Sequence, residues 1–394
     1  MGERDWATAF DHFDPGYAAD PFAVWDELRE GCPVARSERF RDMVVPTRHV
    51  DIDAVARDTA TWSSRSPAVA DFGSMADLGL MAPPISSDPP YHTGFRKLLL
   101  PFFSPQRMEV LRPVIEAHCD ELIDAFAGRG SCDGAEEYAQ HIPVRVITLL
   151  LGIPAEDGDL FRGWIHQMLE LVPIDIESAA AGLFGFGDYL SAQVQRRLDE
   201  GLGDDLISFL LQAELDGRKL SGEEIFGGCL LLMLAGIDTT WSAIGASLWH
   251  LAGNPADQQR LRDDPGLLPT AVEELLRAYA PVTMAREAMV DTELAGCPVA
   301  AGTPLLLPFP AANRDPKLFE AADEVRLDRS PNRHVAFGVG IHRCLGSHLA
   351  RLEVTVAVER FLARTGTFAL AEPDATTWST GQVRGPRVLP LTLT

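Results

Sequence analysis

Phe337-Gly338-Val339-Gly340-Ile341-His342-Arg343-Cys344-Leu345-Gly346 sets a cysteine at the end of a glycine-punctuated turn. Two glycines at alternate positions let the backbone fold tightly and come close to a bound group. Leu349, Leu352, Val356 and Phe361 follow at helical spacing, so a helix is expected to begin near Leu345 or Gly346. Backbone N–H groups at a helix start stabilise an anion and lower a thiol pKa. Cys344 is therefore expected as a thiolate on a rigid loop, either a metal ligand or a nucleophile with His342 as its base. Residues two apart on a turn seldom face each other, which weighs against the nucleophile. The glycines lack G-x-G-x-x-G spacing and no strand–turn–helix pattern surrounds them, so a phosphate cradle fits poorly.

Upstream, the most informative segment is 221–253. Ser221-Gly222-Glu223-Glu224 has capping-box spacing, and Asn254-Pro255 ends the pattern because proline cannot continue a helix. At ~1.5 Å per residue such a helix runs about 50 Å and crosses a whole domain. Leu230 to Ile237 is apolar on every face, as a buried helix should be. Asp238, Thr239 and Thr240 follow, and buried polar groups are expensive without partners. Gly236 beside them weakens the helix by ~1 kcal/mol relative to alanine. Two readings stand: a kink with locally satisfied hydroxyls, or a groove where a group docks on the backbone and needs a proton source.

The rest of the chain bounds these readings. Its 394 residues allow two or three domains or one large mixed fold. With 46% hydrophobic and 23% charged residues it has ordinary globular composition, which excludes collagen-like and disordered classes. The 34 Lys and Arg against 57 Asp and Glu give a net charge of -23, unsuited to nonspecific nucleic-acid or anionic-membrane binding. The N-terminus lacks the features of a signal peptide, Gly2 alone makes no acylation signal, and Cys229 to Ile237 is too short to span a bilayer. A cytoplasmic protein without membrane attachment is expected. The six cysteines form no C-x-x-C pair and are expected as free thiols, not a structural zinc site.

Helical periodicity marks 21–30, 50–58, 91–100, 105–128, 142–151, 178–200, 221–253, 256–263, 267–279 and 346–364. Strand-like stretches are 33–36, 43–46, 297–300, 304–308 and 388–393. No linker or repeat divides the chain, so one unit over 1–394 is expected, mainly α with small β-sheets.

Taken together, these residues resemble a cytochrome P-450, a heme-thiolate monooxygenase, of the soluble bacterial class. Phe337 to Gly346 matches the family signature F-x-x-G-x-[HR]-x-C-x-G. Ala235-Gly236-Ile237-Asp238-Thr239-Thr240 matches the oxygen-activation motif [AG]-G-x-[DE]-T-[TS]. Glu274-Leu275-Leu276-Arg277 matches E-x-x-R, and Asn313-Arg314-Asp315-Pro316 is typical of bacterial members. One departure concerns the P-x-[RH]-F stretch, whose basic residue joins the E-x-x-R pair. Here the alignment reads Ala322-Asp323-Glu324-Val325, leaving Arg326 or Arg329 to substitute.

The resemblance implies heme b held between the long central helix and the cysteine-loop helix, with Cys344 as its axial metal ligand. Phe337 and Gly338 would pack at the sulfur, and Ala235 and Gly236 would line the opposite face. His92 and Arg96, Arg286, and His342 would meet the heme propionates. Asp238 and Thr239 would handle protons for O2 reduction, and Glu274 with Arg277 would form a structural pair. Pocket candidates, by the same resemblance, include Phe72, Met81, Leu171, Phe184, Leu234, Val282, Met284 and Trp378. This apolar set suits a small hydrophobic or aromatic substrate, hydroxylated or O-dealkylated. Electrons from NAD(P)H would arrive through a separate ferredoxin and ferredoxin reductase, docking near Lys97, Arg107, Arg112, Arg343, Arg351 and Arg360. A monomer is expected. A peroxide-driven peroxygenase and a non-catalytic heme-binding sensor are the rival readings, the first disfavoured by Asp238-Thr239.

Overall fold

The computed structural model describes residues 4–37, 39, 42–68, 81–170 and 176–394. Helices dominate, with small sheets at the edges. The helix Gly222–Gly253 runs through the centre, as its apolar middle requires. Its capping box is complete: the Ser221 hydroxyl accepts from the Glu224 N–H, and the Glu224 carboxylate accepts from the Ser221 N–H. The helix is continuous through Gly236, and the Thr239 hydroxyl is satisfied locally by the Ala235 carbonyl. By length and mean hydropathy it could cross a membrane, yet 67% of its most apolar window is buried inside the protein. Averaging over a window, rather than counting an uninterrupted run, is what brings it to membrane-like apolarity.

Around this helix pack His141–Leu151, Leu268–Ala278 and Ser347–Arg364. Their apolar faces share one large core that includes Met233, Ile237, Ile147, Leu276 and Val356. A second core underlies a five-stranded sheet of Val34–Ser37, Met43–Pro46, Pro304–Pro308, Thr283–Ala288 and Trp62–Ser63, side by side in that order. Thr283–Ala288 and Pro304–Pro308 pair antiparallel, setting Arg286 opposite Leu305.

Several expected boundaries shift. The stretch 105–128 is two helices, Pro105–Glu109 and Arg112–Phe126, because Pro113 lacks the N–H that a continuous helix would bond. The stretch 388–393 divides into Pro386–Val388 and Pro390–Leu393. Between them the Leu389 N–H turns to the Asp133 carboxylate at 3.0 Å instead of a strand partner. The helix Ser347–Arg364 starts slightly later than expected. Periodicity missed the helices Gly158–Ile165 and Leu206–Gln212, and the strand Thr283–Ala288, whose Arg286 and Glu287 disguise a covered strand.

Candidate active site

The cysteine loop is shaped by its glycines. Gly338 and Gly340 have φ +65° and +71°, left-handed conformations that a side chain disfavours. A Cβ on Gly340 would stand 2.6 Å from the Ala56 carbonyl oxygen, and one on Gly338 would meet the Phe309 ring at 3.4 Å. The loop is therefore wedged between the helix His49–Arg57 and the segment Phe309–Asn313. The Cys344 N–H donates to the Phe337 carbonyl at 2.7 Å, closing the turn, and the Arg351 guanidinium lies over the Phe337 ring at 4.3 Å.

Cys344 is accessible, but protein encloses it closely enough that burial pushes its thiol pKa up. The Gly346 N–H and the charges of Arg96, Arg343 and Arg351 pull it down without prevailing. The expected lowering is thus corrected: one helix-end N–H and flanking arginines do not offset the desolvation of a thiolate here.

Beside this loop converge four groups that can carry positive charge. His92 and Arg96 lie one turn apart on the helix Tyr91–Leu99, and Arg286 comes from the sheet. The His92 and His342 rings are 4.2 Å apart. Both ring nitrogens of His92 and Nε2 of His342 are buried without a hydrogen-bond partner among the described residues. Arg286 is buried, donates to the Ala285 carbonyl at 2.6 Å, and makes no ion pair among the described residues. Burial lowers its pKa to about 10. Burial, then the nearby Arg286, His92 and Arg96, push His342 down to about 2. Arg96 donates to the Arg343 carbonyl at 2.5 Å, tying this helix to the cysteine loop. Burying these groups without partners costs free energy that an anion beside them would offset.

On the central helix, Ala235 is exposed and Gly236 half-buried. A side chain on Gly236 would collide with Ile147. The Thr239 hydroxyl donates to the Ala235 carbonyl at 2.6 Å, so its proton is engaged and its lone pairs remain as acceptors. Asp238 is only 1% exposed and holds the Arg387 guanidinium at 2.6 Å. Arg387 was not legible as a site residue: it lies 149 positions away in a short strand, and no spacing links it to Asp238.

Glu274 and Arg277 are fully buried and bridge at 2.8 Å. Arg277 also donates to the carbonyls of Asn313, Ala322 and Glu324. Arg329 supplies the missing cation, its Nε lying 3.0 Å from both Glu274 oxygens, and Asn332 joins at 3.0 Å. Arg326 contributes its backbone N–H, while its side chain pairs with Glu324.

The pocket candidates scatter. Phe72 and Leu171 lie outside the described residues. The Met81 backbone rests on the central helix at Gly227, Leu234 packs on the main core, and Phe184 is 72% exposed. Val282 bridges to Val383, and Met284 takes a contact from Gln382. Trp378 packs on Trp249 and beneath Arg384. Trp249 is ten residues, ~15 Å of helix, from Thr239. A Trp in a strand next to the helix end simply finds the nearest aromatic partner.

The expected basic patch is largely neutralised. Arg351 pairs with Glu273, Arg360 with Asp120, Arg112 with Glu109, and Arg107 approaches Asp204 at 3.7 Å. Lys97 and Arg343 are exposed and make no ion pair among the described residues.

Comparison with known proteins places this geometry. The family model described as Cytochrome P450 matches residues 155–265 and 266–373. The mycinamicin IV hydroxylase/epoxidase of Micromonospora griseorubida is 37% identical over 93% of this chain and 94% of its own length. Among solved structures, the bacillaene polyketide synthase cytochrome P450 PksS of Bacillus subtilis 168 aligns with TM-score 0.88 at 32% identity, covering 98% of this chain and 100% of that one. A cytochrome P450 of Bacillus megaterium in complex with testosterone aligns with TM-score 0.87 at 29% identity, covering 96% and 98%.

Proposed function

Given that the chain belongs to the cytochrome P450 family and is a monooxygenase-type oxidoreductase, we propose that residues 1–394 act as one catalytic domain that oxygenates a hydrophobic small molecule. Heme is the cofactor that the family implies. When bound it supplies O2 activation and oxidation at iron, which no side chain provides.

The observation that carries this reading is the cationic cluster beside Cys344. A group with two carboxylates and a metal requires a buried cationic rim next to a soft ligand. His92, Arg96, Arg286 and His342 form that rim, with three unpartnered ring nitrogens and a buried arginine lacking an ion pair among the described residues. Their chemistry fits heme propionates, and Cys344 would hold the iron through its sulfur. Phe337, with Arg351 over its ring, would limit water at the sulfur. Gly236 and Ala235 would leave room along the central helix for the opposite face.

Thr239 would act through its lone pairs, accepting a hydrogen bond from a water or a reacting hydroxyl, because its own proton is held by Ala235. Asp238 would pass protons from solvent toward that water. This pair supports the O2-driven route over a peroxide-driven one. Electrons would come from NAD(P)H through a ferredoxin and its reductase, with Lys97 and Arg343 as the exposed cations at the docking face.

For the substrate, the Arg387 charge is met by Asp238, so no free cation among the described residues of the helix groove asks for an anionic ligand. A relative named as a mycinamicin IV hydroxylase/epoxidase and a neighbour in complex with testosterone support a hydrophobic substrate. The test is the absorption spectrum of the dithionite-reduced protein under carbon monoxide. A strongly red-shifted Soret band supports the thiolate assignment. A band at the histidine-ligated position, or no bound heme, overturns it.

A further inference from the structure

Glu273 precedes the structural Glu274 on the helix Leu268–Ala278, yet its side-chain partners lie at the cysteine loop and the helix that follows it. The Arg351 guanidinium meets it with two bonds, Nε to Oε1 at 2.5 Å and Nη2 to Oε2 at 2.8 Å. A bidentate pair fixes the plane of a guanidinium as well as its position. Nη1 donates to the Ser347 carbonyl at 3.3 Å. The cation held in this way lies 4.3 Å over the Phe337 ring. His334 completes the arrangement. Its Nδ1 accepts from the Ala336 N–H at 3.2 Å, so Nε2 is the nitrogen that donates to Glu273, at 3.0 Å. The His334 and Phe337 rings are 6.1 Å apart. One carboxylate therefore anchors both polar groups that lie against the Phe337 ring.

Phe337 is tied to the cysteine, because its carbonyl accepts the Cys344 N–H at 2.7 Å. Burial pushes the Cys344 thiol up, and Arg351 is one of the three arginines, with Arg96 and Arg343, whose charges oppose that rise. Among the described residues, Arg351 is the one of the three that a carboxylate holds. A fixed positive charge near a metal ligand favours the state that carries one electron more, and a negative charge favours the opposite. We propose that Arg351, aimed by Glu273, is a positioning residue that eases reduction of the thiolate-bound iron: it fixes one positive charge on the Phe337 ring beside Cys344. The step concerned is the one-electron reduction of ferric to ferrous iron, with the electron from the ferredoxin proposed above, and no bond of the protein forms or breaks. The inference rests on the reading of Cys344 as the axial ligand of heme.

The experiment measures the ferric/ferrous midpoint potential of the holoenzyme by dithionite titration with redox mediators. It compares wild type with R351M, R351K, E273Q and the R351M/E273Q double. No ferredoxin is present, which separates the charge from any docking role. R351M should make reduction on the order of tenfold less favourable, a fall of about 59 mV for one electron. E273Q should raise the potential, since glutamine keeps an acceptor oxygen for Arg351 but removes the negative charge. R351K should stay close to wild type, and the double should lie between the two single variants. Opposite shifts from the two members of one pair are the mark of a charge effect, whereas a loosened loop moves both the same way. Both shifts should shrink as salt is raised. An unchanged potential in R351M, or shifts of the same sign in R351M and E273Q, overturns the inference. Where R351M does not retain heme, E273Q decides: a rise supports the inference, and no change or a fall overturns it. The reduced carbon monoxide band of the wild type tests the Cys344 reading separately. A red-shifted band with unmoved potentials removes only the role of Arg351, and a band at the histidine-ligated position removes the thiolate reading itself.

Discussion

Single residues carry the chemistry, and each makes a distinct demand on its surroundings. Thr239 gives its proton to Ala235 and keeps its lone pairs, so in the proposed function it would hold a water rather than act as an acid. Thr239→Ala should leave heme binding unchanged but raise peroxide released per NAD(P)H severalfold, read by peroxide assay during turnover. Cys344→Ser should abolish the red-shifted carbon monoxide band, since a hydroxyl is a far weaker ligand than a thiolate. Glu274 illustrates the opposite case, a charge used purely for structure. It accepts from Arg277, Arg329, Asn332 and the Arg326 backbone, all in the interior. Removing one member of such a network strands the others, at about 3–5 kcal/mol. Arg329→Met should therefore lower the thermal midpoint and heme retention far more than Arg326→Met, whose side chain pairs with the exposed Glu324. Sequence reasoning left these two arginines equal, because both stand within a few residues of the expected position. The choice depends on which one the loop turns inward.

At the scale of elements, the site is a set of close approaches made possible by missing side chains. The cysteine loop rests on the Ala56 carbonyl through Gly340, at a left-handed φ. Gly340→Ala should destabilise the holoenzyme by about 2 kcal/mol from backbone conformation alone, with the steric conflict added. Thermal unfolding and heme occupancy would register it, and a wild-type midpoint would refute the wedge. Both glycines were visible in the signature stretch, and their turn role was readable from residue type. What they press against was not, since Ala56 and Phe309 are far away in sequence. The central helix was legible from its capping box, apolar middle and stop signal. The strand Thr283–Ala288, which delivers Arg286, was not, because its charged residues hide a strand that is covered on both faces.

Across the whole molecule, buried titratable groups set the acid limit of stability. His12 is buried against Phe10 and Phe13, and burial lowers its pKa to about 4. A base held neutral in the fold but free to protonate when unfolded contributes stability that is complete above its ordinary pKa of 6.5. That contribution is lost as pH falls toward 4, and it amounts to roughly 3 kcal/mol. Glu224 adds a second, more acidic step. The Arg218 guanidinium holds its carboxylate down to about 2, so its stabilisation is lost between about 4.5 and 2. Urea unfolding at a series of pH values should show decline beginning near pH 6.5, and His12→Gln should flatten the upper part of that decline. With a net charge of -23, the proposed ferredoxin docking would work through local cations. Lys97→Glu should weaken the ferredoxin dependence of turnover and reduce its sensitivity to salt.

The sequence by itself determined the long central helix, most of the other helices and the chemistry-bearing positions that lie close together in the chain. The cysteine loop, the acid and threonine on the long helix, the His92–Arg96 spacing and the Glu274–Arg277 pair are all local patterns, fixed by residue type and periodicity. Tertiary structure alone decided every partnership across distance: Arg329 over Arg326 at Glu274, Arg387 at Asp238, and Trp378 at Trp249. It also reversed the expected direction of the Cys344 thiol, because desolvation depends on how much protein surrounds a group. Spacing encodes which residues share a helix face or a turn. Burial and long-range pairing arise only when separate elements pack, and no local pattern contains them.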